Sequence, residues 1–417
     1  MDTGHFVIAG GGLAGATAAR TLRSEGFTGA ITIACAETHV PYLRPPLSKE
    51  LLLGKDGEVK VSVVPQDWYG ENGVEILLGD PVVAADPQAH TVRLGSGKEL
   101  EYSRLLIATG AQPRKLPLPG SELAGVGTFR TLDDSRRLKE ALSDGGRRLV
   151  MVGSGWIGME LAAAARSYGN EVTLLGLEDV PLSTAIGPEL GAFFREIHES
   201  HGVHFRLPAS AREIKGTDGR ASAVVTDSGE EIPADIVVIA AGVIPDTALA
   251  GNAGLKLENG ILVDASLRTS SPDVFAAGDV ANALHPFTGE HHRNEHWHNA
   301  LSGGKVAARA MLGQDAKLDM VPYFYTDQFD VAMEYSGFPS LAAGQSPLLR
   351  GSMDDRSFLA FWLNRNSSGS SAVVAGMSIN RPKVHKTLKA LISGRVQVDP
   401  ARLADPEVPL EELLPEG

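Results

Sequence analysis

Two glycine clusters with the same spacing are the residues of this sequence best suited to chemistry. The first is Gly10-x-Gly12-x-x-Gly15, and the second is Gly153-x-Gly155-x-x-Gly158. Glycines at this spacing permit a tight turn between a strand and a helix, and they let a pyrophosphate approach the helix N-terminus. The sequence therefore predicts two dinucleotide-binding turns in one chain.

The surroundings of both clusters support this interpretation. HFVIAG before the first cluster is strand-like, LAGATAARTLRSEG after it is helix-like, and AITIACAE is strand-like again; RLVMVG, WIGMELAAAA and NEVTLLG repeat that order around the second cluster. Strand, helix and strand form the βαβ unit that this motif requires. Glu37 follows Gly15 near the ~20-residue spacing of an acid that binds a ribose 2′-hydroxyl. The alternative is a plain strand-to-helix turn with an unrelated surface glutamate.

Other segments indicate the elements that hold these turns. RLLIATGAQPR (104–114) and ADIVVIAAGVIPD (234–246) are continuous apolar runs, which are typical of parallel strands covered on both faces. From Leu318 onward, apolar and polar residues alternate and aromatic residues are frequent. This alternation, with a glycine and serine turn at 366–371, predicts an antiparallel hairpin. A basic, helix-like tail follows. We expect an α/β protein with two Rossmann-like domains and a C-terminal α+β domain.

Composition excludes several function classes. A chain of 417 residues predicts two to three domains, and a net charge of −13 argues against nucleic acid as the main partner. Cys35 is the only cysteine, which excludes an intramolecular disulfide, a Cys-x-x-Cys redox pair and a cysteine-ligated iron–sulfur cluster or four-cysteine zinc site. The N-terminus lacks a basic signal region, and no run reaches the roughly 20 apolar residues of a membrane helix. We expect a soluble, cytoplasmic protein with no metal site.

Several motifs, in their order along the chain, carry a resemblance to a known family. They are the two glycine turns, Thr109-Gly110, Glu160, and the segments PYLRPPLSK (41–49), DVFAAGDVA (273–281), RNEHWHNA (293–300), PYFYTDQFD (322–330) and INRP…VDPARLADP near the end. Together they resemble the FAD-dependent NAD(P)H:ferredoxin reductases of bacterial oxygenase systems, the group of putidaredoxin and rubredoxin reductases. The resemblance covers essentially the whole chain.

The resemblance implies a glutathione-reductase-like flavoprotein. It places the FAD-binding domain at 1–112 and 246–317, the NAD-binding domain at 113–245, and the α+β domain at 318–417. The implied reaction passes a hydride from NADH to FAD, and single electrons then pass to a small acidic iron–sulfur ferredoxin that serves a cytochrome P450 or a ring-hydroxylating dioxygenase. The implied enzyme is a monomer or homodimer with no nucleic-acid or membrane partner.

The resemblance also assigns site residues. Lys49 and Glu160 are the implied catalytic pair, an ion pair beside flavin N5. Val82 matches a main-chain adenine contact, and Asp279 matches a ribityl contact that could equally be a helix N-cap. The implied cofactor-binding residues are Gly10, Gly12, Leu13, Ala14, Gly15, Glu37, Arg44, Lys49, Val82, Ala108, Thr109, Gly110, Arg130, Gly153, Gly155, Trp156, Ile157, Gly158, Glu160, Gly242, Gly278, Asp279, Glu295, His296 and Trp297.

Four positions depart from the family pattern. Tyr325 stands where the family usually has Trp, and Gly303 where it has Gln. Gly176 stands where the family has an acid that binds the adenosine ribose of NADH, and Val180 where many relatives have Arg. Glu178 and Asp179 follow with no Lys, Arg or His before Phe194, so a 2′-phosphate would be repelled. We therefore expect NADH to be preferred over NADPH, and Gly176→Glu to strengthen NADH binding.

One basic segment is a candidate docking site for the electron acceptor. Residues 379–395 carry Arg381, Lys383, Lys386, Lys389 and Arg395 without an acid. In an acidic chain this predicts a positive patch for the ferredoxin, although a solvated helix face is an equally good interpretation.

Two other functions remain open from the sequence alone. One is an NADH oxidase or peroxidase of the same superfamily, and its peroxide-reducing members usually need a catalytic cysteine. The other is a non-catalytic flavoprotein similar to apoptosis-inducing factor. The rate of flavin reoxidation in air distinguishes the oxidase from a ferredoxin reductase.

Overall fold

The computed structural model describes residues 4–55, 57, 61–365 and 371–415. The chain divides into two compact units. The first unit comprises Met1–Pro45, Gly57–Gln112 and Ile244–Met320, and the second comprises Pro46–Asp56, Pro113–Val243 and Val321–Gly417. None of the described helices combines the length and the apolarity that crossing a bilayer demands.

The first unit is built on a five-stranded parallel sheet in the order β19-β7-β1-β2-β3. Its strands are β1 (His5–Ala9), β2 (Ala30–Ala34), β3 (Val74–Leu77), β7 (Arg104–Ile107) and β19 (Val274–Ala276). The helices of this unit are α1 (Leu13–Ser24), α2 (Trp68–Glu71), α7 (Ala248–Asn252) and α8 (Trp297–Met311). Of the two runs predicted as buried parallel strands, 104–114 provides β7, which lies between β19 and β1 in this sheet, and 234–246 provides a strand of the parallel sheet in the second unit.

Two smaller sheets complete the first unit. The antiparallel sheet contains β4 (Val82–Asp86), β5 (Thr91–Leu94) and β6 (Glu99–Glu101). The mixed sheet contains β18 (Ile261–Val263), β20 (Ala281–His285) and β21 (Glu290–His292). The short strands β8 (Ala111–Pro113) and β17 (Val243–Pro245) pair with each other.

The second unit repeats the parallel design in the order β12-β11-β10-β16-β9. Its strands are β9 (Val126–Thr128), β10 (Arg148–Val152), β11 (Glu171–Leu175), β12 (Val203–Arg206) and β16 (Ile236–Ile239). The associated helices are α3 (Leu132–Leu142), α4 (Trp156–Ser167), α5 (Ser183–Ile186) and α6 (Pro188–Ser200). An antiparallel sheet of β13 (Ala211–Thr217), β14 (Arg220–Thr226) and β15 (Glu231–Pro233) lies in the same unit.

The C-terminal part of the second unit is an antiparallel sheet in the order β22-β23-β26-β25-β24, with β27 beside β26. The strands are β22 (Tyr323–Gln328), β23 (Val331–Gly337), β24 (Leu348–Ser352), β25 (Ser357–Arg365), β26 (Ser371–Ile379) and β27 (Gln397–Val398), and the helices are α9 (Pro339–Ala342), α10 (His385–Ser393) and α11 (Pro400–Ala404). The turn predicted at 366–371 lies largely outside the described residues, but the two strands it joins pair antiparallel. The predicted fold class is confirmed.

The segment Pro46–Asp56 groups with the second unit, although the sequence-based boundary placed it in the first part of the FAD domain. Leu52 is fully buried in the core cluster that contains Leu138 and Leu142. The Ser135 hydroxyl donates to the Leu47 carbonyl at 2.7 Å, and the Tyr168 hydroxyl donates to the Leu52 carbonyl at 2.7 Å. Lys49 therefore belongs to the same unit as Glu160.

Candidate cofactor-binding sites

The first glycine turn joins β1 to α1 and has the geometry of a phosphate-binding loop. Gly10 has φ +124°, and a Cβ there would lie 2.2 Å from the Ala108 carbonyl oxygen. A Cβ at Gly15 would lie 2.2 Å from the Gly10 carbonyl oxygen. Only glycine fits these two positions, since each faces backbone atoms that cannot move aside.

Gly12 leaves the N-terminus of α1 open. It is the N-cap residue, has extended backbone, and provides no side-chain cap to the N–H groups of the first turn, which begins with Leu13 and Ala14. A Cβ at Gly12 would meet nothing within 4 Å. Free N–H groups facing open space, at the positive end of a helix dipole, suit an anion such as a pyrophosphate.

The second glycine turn joins β10 to α4 and repeats this geometry. Gly153 has φ +126°, and a Cβ there would lie 2.2 Å from the Ala240 carbonyl oxygen. A Cβ at Gly158 would lie 2.2 Å from the Gly153 carbonyl oxygen. Gly155 is an uncapped N-cap residue with nothing within 4 Å of its Cβ position. Each unit therefore carries a glycine turn that leaves the N-terminus of the following helix uncapped.

Glu37 follows β2 in the first unit, as its sequence position predicted, and holds two neighbours. Its carboxylate accepts from the Tyr42 hydroxyl at 2.5 Å and from the Arg44 guanidinium at 2.8 Å. Burial opposes the charge on Arg44, but Tyr42, Glu37 and Asp279 raise the pKa of its guanidinium. These four side chains form one charged cluster, and Tyr42 is a member that the sequence did not single out.

Other predicted residues of the first unit follow the ends of parallel strands, except Val82, which lies in the antiparallel sheet. The Thr109 hydroxyl donates to the Asp246 carbonyl at 2.7 Å, and Gly110 has φ +73°. Gly278 has φ +80°, and a Cβ there would lie 3.2 Å from the Ala14 Cβ, which brings the segment before Asp279 against the start of α1. Val82 begins β4 and pairs with Leu94.

The helix N-cap alternative for Asp279 is wrong. Asp279 lies in the turn between β19 and β20, and the chain continues from it into a strand rather than a helix. The helix α8 begins later, after His296. Asp279 therefore lies in a turn between two strands and does not cap a helix. From this turn its carboxylate helps to raise the pKa of the Arg44 guanidinium.

The segment before α8 holds the remaining predicted residues of the first unit. Glu295 pairs with the Arg293 guanidinium at 2.7 Å, and Trp297 is the first residue of α8. Burial lowers the pKa of His296 to about 4, against an opposing effect of Asp279, so its imidazole is neutral at pH 7. Among the described residues, no group of three or more His, Cys, Asp or Glu side chains could hold a metal ion.

Lys49 and Glu160 form the buried ion pair that was predicted for them, with Nζ 2.7 Å from Oε1. Both side chains are more than nine-tenths buried. Two hydroxyls also donate to this carboxylate: Ser48 to Oε2 at 2.5 Å and Thr326 to Oε1 at 2.6 Å. Each donor stabilises the negative charge of Glu160, so the pair is held by a network and not by one contact.

Two further contacts extend this network. Gln328 Nε2 donates to the Thr326 hydroxyl at 3.1 Å, and the Lys49 ammonium lies 5.5 Å from the centre of the Tyr325 ring. Burial raises the pKa of Tyr325 to about 12, so its phenol is neutral at pH 7. The sequence did not single out Ser48, Thr326 or Gln328, but the i, i+2 spacing of Thr326 and Gln328 places both on one face of β22.

The other predicted residues of the second unit lie on several of its elements. Trp156 begins α4 and packs edge-on against Phe194 and Phe324, whereas Ile157 is 43% exposed. Gly242 has φ +85°, and its carbonyl accepts from Arg114 N–H at 2.9 Å. Arg130 precedes α3, and its backbone N–H donates to Asp134 at 2.9 Å.

Crowding around Gly176 opposes the expectation that Gly176→Glu strengthens NADH binding. A Cβ at position 176 would lie 2.2 Å from Ser154 Oγ and 2.8 Å from Leu207 Cδ2. The side chain of Ser154 already occupies the space that the glutamate would enter. The single substitution is therefore overpacked.

Comparisons with known proteins agree with this architecture. Residues 4–304 match the family model described as pyridine nucleotide-disulphide oxidoreductase, and residues 323–414 match the model described as reductase C-terminal. The chain is 35% identical to rhodocoxin reductase of Rhodococcus erythropolis, over 97% of this chain and 93% of that one. It is 36% identical to the ferredoxin–NAD(+) reductase component of the anthranilate 1,2-dioxygenase system of Burkholderia cepacia, over 99% of this chain and 100% of that one.

A solved structure is similar over nearly the whole chain. The covalent complex of putidaredoxin reductase with putidaredoxin matches with a TM-score of 0.94 and 31% identity, over 99% of this chain and 98% of that one. The chain belongs to the pyridine nucleotide-disulphide oxidoreductase family, and its residues 323–414 form a reductase C-terminal domain.

Proposed function

We propose that this chain is an FAD-dependent NADH:ferredoxin oxidoreductase that supplies electrons to an oxygenase. The observation that carries the proposal is the pair of open glycine turns, since one chain with two dinucleotide sites suits electron transfer between two dinucleotides. The named functions of the reductases that match over nearly its whole length support the same conclusion.

The residues of the first unit fit FAD. The turn at Gly10, Gly12 and Gly15 offers free N–H groups to the pyrophosphate, and Glu37 lies at the position of a ribose acid. Arg44 supplies a cation in the same unit, held by Glu37 at 2.8 Å. When bound, FAD accepts a hydride from NADH and releases its two electrons singly.

The residues of the second unit fit NADH. The turn at Gly153, Gly155 and Gly158 offers the same open N-terminus to the second pyrophosphate. Lys49 and Glu160 lie in this unit, and Glu160 belongs to α4, the helix that starts at that turn. We assign Lys49 as the cation that stabilises negative charge on the reduced cofactor, with Glu160, Ser48 and Thr326 keeping its ammonium in place.

We propose that the acceptor is an acidic ferredoxin that docks on the basic segment around α10. Arg381, Lys383, Lys386 and Arg395 are exposed, and Lys389 is half-buried. Complementary charge raises the association rate of such a pair, and this attraction is weakened by salt.

We also propose that the protein is cytoplasmic and that it is a monomer or a homodimer. The proposed domain boundaries lie at 112/113, 245/246 and 317/318.

The peroxidase alternative lacks its nucleophile. Cys35 is 2% exposed, and a Cβ at Gly11 would lie 2.3 Å from its Sγ, so the thiol is covered by the first glycine turn. Burial, with a smaller contribution from Glu37, raises the pKa of Cys35 to about 12. A thiol that is neutral and covered cannot attack peroxide at pH 7.

The proposal is tested by mixing the FAD-loaded chain anaerobically with NADH and following flavin absorbance. We expect rapid bleaching, followed by reoxidation when an oxidised [2Fe–2S] ferredoxin is added and slow reoxidation when air is added instead. Failure of NADH to bleach the flavin would contradict the proposal, and fast reoxidation by air alone would support the oxidase alternative.

A further inference from the structure

Ser154 is a largely buried residue of the second glycine turn, and its side chain carries a hydroxyl. It lies between Gly153 and Gly155, directly before α4, and is 7% exposed. Within the part of the chain that the structure describes, its hydroxyl has no hydrogen-bond partner. A hydroxyl that makes no hydrogen bond to the described chain and lies beside an open helix N-terminus is available to a ligand.

The hydroxyl is directed at the place where dinucleotide-binding folds hold a ribose. Gly176 follows the end of β11, the position of the acid that contacts the adenosine ribose in such folds. Ser154 Oγ lies 2.2 Å from the point that a Cβ of residue 176 would occupy. The serine hydroxyl therefore occupies the volume of the missing acid.

Two neighbouring charged side chains, Glu178 and Arg206, are already engaged. The Glu178 carboxylate accepts from the backbone N–H groups of Ser183 and Thr184, at 2.9 Å and 3.2 Å, and also from the Thr184 hydroxyl. Arg206 lies opposite Leu175 on the neighbouring strand, and its Nε is 2.8 Å from Glu230 Oε1. Leu177, the residue after Gly176, is apolar and 79% exposed.

We propose that Ser154 is the residue that binds the adenosine 2′-hydroxyl of NADH, in place of the acid that position 176 lacks. This inference rests on the proposed function, because it assumes that the second turn holds the nicotinamide dinucleotide. A serine hydroxyl can donate and accept one hydrogen bond at this point without carrying charge. Preference for NADH over NADPH then comes from the negative charges at Glu178 and Asp179, and not from the group that holds the ribose.

The first test measures the affinity of NAD⁺ for the FAD-loaded chain by titration calorimetry. Ser154→Ala should weaken binding about two- to tenfold, the range for one lost hydrogen bond. Ser167→Ala is the matched control, since Ser167 is the last residue of α4, the helix that follows Ser154, and its hydroxyl donates to the Ala163 carbonyl at 3.0 Å. This control should leave the dissociation constant unchanged.

An analogue locates the contact on the ligand. NAD⁺ that lacks the adenosine 2′-hydroxyl should bind wild type and Ser154→Ala with equal affinity, because neither complex can form the hydrogen bond. Equal affinity of wild type and Ser154→Ala for ordinary NAD⁺ overturns the inference while leaving the proposed function intact. No binding of NAD⁺ to wild type would instead overturn the proposed function.

A pair of variants tests the shared volume. Gly176→Glu alone should weaken NAD⁺ binding, whereas Ser154→Gly combined with Gly176→Glu should bind NAD⁺ more tightly than Gly176→Glu, because the glutamate then has room to reach the ribose. FAD content equal to that of wild type shows that each variant is folded. Tighter NAD⁺ binding by Gly176→Glu alone would contradict the assignment of that space to Ser154.

Discussion

Lys49→Met is expected to damage stability and the flavin potential together. The substitution removes one partner of an ion pair with a 2.7 Å separation and both side chains nearly fully buried, so Glu160 keeps an uncompensated charge. Breaking a buried pair in this way costs about 3–5 kcal/mol of the free energy of unfolding. The hydroxyls of Ser48 and Thr326 still donate to the carboxylate, which should bring the cost toward the lower end of that range.

The assay combines urea unfolding with an anaerobic redox titration of the FAD-loaded chain. Lys49→Met should lower the two-electron potential of FAD, by about 30 mV for each 1.4 kcal/mol of lost stabilisation of the reduced form. Adding Glu160→Gln to Lys49→Met should recover part of the stability, because the buried charge is removed. Lys215→Met is the control, since Lys215 pairs with Glu231 at 2.5 Å on the exposed surface and its loss should change stability little.

Two results would refute this reasoning. If Lys49→Met is no less stable than the Lys215→Met control, the buried pair is not supporting the fold. If the flavin potential is unchanged while stability falls, the pair is a structural contact of the second unit and Lys49 has no part in the electron transfer.

Three further predictions concern the acceptor, the coenzyme and the thiol. Lys386→Glu combined with Lys389→Glu should raise the apparent KM for ferredoxin at low salt and leave the KM for NADH unchanged; an equal KM for ferredoxin would show that α10 is only a solvated helix. Steady-state kinetics should give a kcat/KM for NADH at least about tenfold above that for NADPH, since Glu178 and Asp179 repel a 2′-phosphate, and a preference for NADPH would require a cation from elsewhere in the second unit. The pKa of Cys35, raised by burial to about 12, keeps its thiol neutral below that pH, so iodoacetamide at pH 8 should leave Cys35 unmodified in the folded chain and modify it after unfolding, as mass spectrometry can check.

Much of the fold could be predicted from the sequence because the glycine turns constrain it locally. The spacing of Gly10, Gly12 and Gly15 fixes the order strand, turn and helix, and the continuous apolar runs fix parallel strands. The structure confirms both predictions. In each turn, a Cβ on the first glycine (Gly10 or Gly153) would lie 2.2 Å from a backbone carbonyl oxygen, so only glycine fits. The alternation of apolar and polar residues after Leu318 likewise predicted the antiparallel sheet, because such alternation is typical of a strand with one buried face.

The details that the sequence could not provide depend on contacts between distant segments. Nothing in the pattern shows that Thr326, 166 residues after Glu160, donates to its carboxylate. The crowding of Gly176 by Ser154 could be recognised only from the structure, because the sequence shows that the acid is missing but not which side chain occupies its place. The assignment of Pro46–Asp56 to the second unit agrees with the burial of Leu52 in the same core cluster as Leu138, which no local motif reports.

The roles of the individual cofactor residues stay predictions. The resemblance assigned Arg130 and Trp297 to the flavin, and the structure gives their positions without a bound ligand to contact. The ion pair of Lys49 and Glu160 is observed, whereas its action on the flavin awaits the potential measurement described above.

The most direct test of electron transfer is a stoichiometric titration under argon. The FAD-loaded chain, at catalytic concentration, is mixed with oxidised [2Fe–2S] ferredoxin, and NADH is added in steps while the absorbance of the cluster is followed. The account predicts that each NADH reduces two ferredoxin molecules and that omission of the chain abolishes the reaction. Reduction of the flavin by NADH without reduction of the ferredoxin would contradict it.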